Sequence, residues 1–80
     1  MATRRIKLTF PEKLVTQPIL FTVAKDYDVV PNIRRAKVSA TLGEIVLELS
    51  GEDDNLEQAV AKLEELGVEV EPISGDIVAG

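Results

Sequence analysis

The apolar residues of this chain change period four times along its length, and that succession restricts the folds it can adopt. Ile6, Leu8 and Phe10 alternate with Arg5, Lys7 and Thr9, the two-residue period of a half-buried strand, and Pro11 ends it. Ile19, Leu20, Val23, Ala24 and Tyr27 then recur at helical spacing. Thr16 is the expected N-cap and Pro18 belongs in the first turn. Alternation returns over Val29–Ala40, where Ala36, Val38 and Ala40 share a side opposite Arg35, Lys37 and Ser39. Ile33 breaks that parity, so either a bulge separates it from Ala36 or Ile33 turns outward. Thr41-Leu42-Gly43 reads as a hairpin turn, and Glu44–Ser50 follows as a strand with Ile45, Leu47 and Leu49 inward. A second helix has Asp53 as its expected N-cap, a buried stripe of Leu56, Ala59, Val60, Leu63 and Leu66, and Gly67 as its stop. Val68 and Val70 alternate with Glu69 and Glu71 in a last strand.

Two strand–helix–strand units in succession predict an α+β, ferredoxin-like βαββαβ domain. Its four-stranded antiparallel sheet takes the order 4-1-3-2 and carries both helices on one face. Residues 1–73 form this domain and residues 74–80 read as a flexible tail. Eighty residues make one domain with a thin core, and 45% hydrophobic residues suit a folded chain. No stretch approaches the roughly 20 apolar residues of a membrane span, and the basic start at Arg4 and Arg5 is not followed by a secretory core. A cytoplasmic location without membrane insertion is the expectation.

Charge is unevenly divided. Residues 1–40 hold eight basic and three acidic side chains, residues 41–80 one basic and eleven acidic. The strand order accounts for this. On the face away from the helices the columns run acidic (Glu69, Glu71), basic (Arg5, Lys7), acidic (Glu48), basic (Arg35, Lys37), and opposite charges on neighbouring strands stabilise a sheet. That open face carries Val46 and no aromatic residue, whereas RNA-binding domains of this topology stack bases on exposed aromatics. With a net charge of −5, nucleic-acid binding is not expected.

The chain has no Cys and no His. Thiol nucleophiles, imidazole bases, disulfides and the usual zinc and iron–sulfur sites are therefore ruled out. The glycines have no phosphate-loop spacing, and the acids at Glu52, Asp53 and Asp54 lack the spaced oxygens of a calcium loop. Neither catalysis nor a cofactor is expected. The options left are binding and self-association, the latter a common remedy for marginal stability at this size.

Six segments, in order, resemble the NIL domain family. They are a basic first strand over Arg4–Phe10, Pro18-Ile19-Leu20 at the helix start, and Tyr27 ahead of Asp28-Val29. Asn32-Ile33-Arg34 stands at the Asn-Ile-Leu signature of the second strand. Glu48-Leu49-Ser50-Gly51 closes the third strand, and Leu66-Gly67-Val68-Glu69-Val70-Glu71 follows an Ala-containing helix. The resemblance implies a ferredoxin-like regulatory domain of the kind found at the C-terminus of methionine-import ABC transporter ATPase subunits, and beside some ferredoxins. There such domains dimerise and bind methionine. Carried over, Asn32 is the polar ligand contact with Ile33 and Arg34 beside it. Two features depart from the family: Arg34 stands where Leu is usual, and these 80 residues hold no ATPase, so gating in cis is not expected. The first expectation is a homodimeric sensor of an amino acid such as methionine. The second is a protein-interaction module whose basic second strand docks an acidic or ferredoxin-like partner, or a second copy.

Overall fold

The computed structural model describes residues 1–73; the expected tail at 74–80 lies outside the described residues. Its elements are β1 (Ala2–Pro11), α1 (Glu12–Val15), α2 (Ile19–Asp26), β2 (Val30–Val38), β3 (Leu42–Gly51), α3 (Asp53–Glu65) and β4 (Glu69–Pro72). The antiparallel sheet has the order β2-β3-β1-β4, which is the expected 4-1-3-2 read from the other edge.

The core lies between one face of this sheet and the helices. Ile6, Leu8 and Phe10 of β1 and Leu47 and Leu49 of β3 meet Leu20 and Val23 of α2 and Leu56, Ala59 and Leu63 of α3. The alternate positions of the central strands point the other way, so the period-2 pattern is realised with its predicted parity.

Each long helix ends on a Schellman turn. Gly67 adopts φ +105°, its N–H donates to the Glu64 carbonyl, and the Val68 N–H donates to Leu63. At the matching point of the first unit Asp28 adopts φ 58°, with the Asp28 N–H donating to Lys25 and the Val29 N–H to Ala24. Asp tolerates the left-handed region better than most non-glycine residues, which is why a helix stop without glycine works here.

Five details differ from the sequence expectation. A one-turn helix, α1, fills what the pattern left as a loop, because burying Leu14 against the core fixes that turn. Thr16 is then the C-cap of α1, and α2 is capped by Pro18 with no side-chain bond. Glu52 occupies the N-cap of α3, and Asp53 and Asp54 fall in its first turn, where negative charge opposes the helix dipole. Leu66 is exposed rather than part of the stripe, since the Schellman turn ends the helix before that position reaches the sheet. The hairpin tip falls at Ala40-Thr41, with the Ser39 Oγ accepting from the Thr41 and Leu42 N–H groups.

Candidate functional site

Strand β2 is an outer edge, bonded only to β3. Every residue from Asn32 to Val38 is exposed. Length explains this. Eight residues of α2 rise about 12 Å, whereas nine residues of strand extend roughly 30 Å, so the helix cannot roof its neighbour. The register of β2 against β3 shifts between Ile33 and Arg35, the bulge that the parity break called for.

The three residues expected to form the site are contiguous in sequence but divided in space. Asn32 pairs with Glu48 and shares its open face; its side chain is exposed. Ile33 pairs with Leu47 and so lies on the helix side, 43% exposed. Arg34 is the extra residue of the bulge, with no register partner on β3. Asn32 and Arg34 nevertheless converge on one group. The Glu48 carboxylate accepts from the Arg5 Nε and Nη2 at 3.2 and 2.7 Å. That hydrogen bond holds its pKa below the ordinary carboxylate range, opposed by partial burial, and the charges of Arg5 and Arg34 lower it further.

On the helix side Ile33 rims an apolar groove of about 180 Å³. Buried Phe10 and Ile19, half-buried Ile45 and exposed Phe21 and Val38 line it, with Gln17 as a polar member. This is smaller than the roughly 300–1,000 Å³ of drug-sized pockets, and matches one short apolar side chain. Phe21 and Val38 are 62% and 63% exposed, so the groove opens to solvent. Sequence reasoning missed both the groove and the role of Glu48. Phe21 was the available signal: a large aromatic residue standing off the buried stripe of its helix.

The open face bears the predicted columns. Arg5 meets Glu48, Lys7 reaches Glu44 at 3.7 Å, and Glu71 and Glu69 pair in register with Lys7 and Thr9. Val46 sits among them, and no aromatic side chain accompanies it.

The NIL domain family model matches residues 4–72, nearly the whole described chain. The chain belongs to the NIL domain family. A solved structure of the C-terminal domain of an ABC transporter ATP-binding protein from Enterococcus faecalis is similar to this NIL domain. It has a TM-score of 0.77 and 25% sequence identity, over 91% of this chain and 86% of that one. The curated proteins gave no match. Among the described residues no helix is long and apolar enough to cross a membrane.

Proposed function

We propose that this NIL domain is a non-catalytic regulatory module that senses a small molecule of the amino-acid class, methionine being the first candidate, at the outer edge of β2. One observation carries the reading: Asn32 is exposed beside a carboxylate and a guanidinium, while its neighbour Ile33 rims an apolar groove on the other side of the same strand. An amino acid is a zwitterion with a side chain. The Asn32 amide supplies both a donor and an acceptor. Glu48 and Arg34 offer opposite charges to the ammonium and carboxylate, and the groove accepts a thioether-sized apolar group.

A thermal-shift panel of the twenty amino acids at millimolar concentration tests this. A ligand present at ten times its Kd adds about 1.4 kcal/mol by mass action. For a domain of this size that raises the midpoint on the order of 5 °C or more. Methionine is expected to give such a shift, and Asn32→Ala to erase it without moving the unliganded midpoint, since the side chain is exposed. No shift with any amino acid refutes the reading.

A further inference from the structure

We infer, resting on the reading of β2 as a site for amino-acid-class ligands, that Arg34 and Arg35 read the ligand's carboxylate and that its amino group is dispensable. The site then takes carboxylic acids with a short apolar side chain as a class, α-hydroxy and α-keto acids among them. The bulge sets the arrangement. Arg35 pairs with Val46, which shares the open face with Glu44 and Glu48. Arg34 is the residue inserted between Arg35 and Ile33, the partner of Leu47. On a regular strand consecutive side chains take opposite faces. The insertion breaks that alternation, and the charge of Arg34 acts on Glu48 of the open face, as that of Arg5 does. Two consecutive guanidinium groups therefore serve one face, beside uncharged Val46.

The two signs of charge at this site are not equally available. Arg5 donates to Glu48 from both Nε and Nη2, so much of the Glu48 charge is answered within the sheet. Arg34 and Arg35 are exposed, and among the described residues neither is in a salt bridge. Arg5, Arg34 and Arg35 thus surround a single carboxylate, Glu48. The next positions along the face repeat the excess, with Lys7 and Lys37 both beside Glu44. An ammonium group brought here meets a field of its own sign, and a carboxylate meets the opposite sign. Asn32 serves either group, since its amide both donates and accepts. Arginine adds geometry to charge, because its planar fork of N–H groups matches the two oxygens of a carboxylate.

A second copy of the chain at the β2 edge leaves the sign of this field unchanged. Antiparallel pairing of two β2 strands puts the two-fold axis normal to the sheet, so the second copy's arginines come to the same face. Charged side chains on an outer strand also discourage aggregation. In that role alone, neutralising Arg34 or Arg35 would leave ligand affinity untouched. The apolar groove rimmed by Ile33 supplies the remaining selectivity, for a short apolar side chain.

Three compounds of one skeleton test this by titration calorimetry on the full chain. They are methionine, its α-hydroxy acid analogue, which keeps the carboxylate and lacks the ammonium, and methioninamide, which does the reverse. The hydroxy acid is expected to bind within about threefold of methionine, and methioninamide at least about tenfold more weakly than either. Binding of the hydroxy acid weakens as salt rises. Arg34→Gln and Arg35→Gln are each expected to weaken it at least about fivefold, and both side chains are exposed, so folding is not expected to suffer. Acetate controls for a general anion effect, and acetate binding as tightly as the hydroxy acid overturns the inference. So does methioninamide binding as tightly as methionine, or arginine variants that bind the hydroxy acid like the native chain. Methionine binding without the hydroxy acid overturns this inference and keeps the amino-acid reading. The hydroxy acid binding without methionine does the opposite, and binding by none of the three overturns both.

Discussion

Glu48 is the side chain through which β1, β2 and β3 meet on the open face. It holds the Arg5 guanidinium, feels Arg34 and stands opposite Asn32 in the register. Because its folded pKa lies below the ordinary glutamate value of about 4.3, the unfolded chain takes up the proton first as the solution is acidified. The stability Glu48 contributes is thus fully present above about pH 5 and disappears as pH falls through its lowered pKa. Glu48→Gln is expected to be less stable than the native chain at neutral pH, with the difference shrinking as the solution is acidified. Urea midpoints of both proteins between neutral and strongly acid pH measure this, and a constant gap contradicts it. At the same scale, Asn32, Ile33 and Arg34 show that three adjacent residues on a bulged edge need not share a pocket. Alternation sends Asn32 and Ile33 to opposite faces, and the extra bulge residue returns Arg34 to the neighbourhood of Glu48.

The two strand–helix units are variations on one element, and their stops expose the difference. Gly67 ends α3 at φ +105°, where a Cβ meets only the Leu14 Cδ1 at 3.5 Å, so a side chain there is hindered by backbone strain and not by crowding. Gly67→Ala is expected to cost about 1–2 kcal/mol, the usual penalty of a left-handed alanine. A urea titration with unchanged m-value checks it. Gly51 is constrained in the opposite sense. Its φ is ordinary, but a Cβ would lie 3.0 Å from the Val29 Cγ1 and 3.4 Å from the Asp28 carbonyl oxygen, so the close approach of β3 to the end of α2 demands glycine. Strand β2 is the element least bound by its surroundings, since α2 is too short to cover it. That shortness leaves the apolar groove and the unpaired backbone on the same edge.

Over the whole molecule, one core joins β1, β3, α2 and α3, with β2 held to it through its pairing with β3, and Tyr27 packs half-buried against it from the end of α2. Unfolding is expected to be a single transition, with far-UV circular dichroism and Tyr27 fluorescence giving coincident urea midpoints. Separate midpoints mean that the helical layer loosens before the sheet. The lopsided charge of the sequence also resolves at this scale. The basic half supplies β1 and β2, the acidic half supplies β3 and β4, and interleaving them in the sheet places most charges beside their opposites. The net charge describes the molecule poorly, because basic and acidic side chains are sorted by strand, with the outermost basic column, Arg35 and Lys37, on β2.

Period and parity were legible in the residues alone: four strands, two long helices, their order in the sheet, and the bulge implied by Ile33. They follow from local spacing, since a strand exposes alternate residues and a helix one stripe wherever it later packs. Gly67 likewise announced its own left-handed turn. The family resemblance was legible in the order of Asn32 and its companion segments, and residues 4–72 match that family. The one-turn α1, the exposure of Leu66, the groove beneath Phe21 and the convergence of Asn32 and Arg34 on Glu48 were not legible. Each depends on how far one element reaches across another, and a linear pattern contains directions but no relative lengths in space. The open edge is the clearest instance: β2 reads as an ordinary half-buried strand until the helix above it proves too short to cover it.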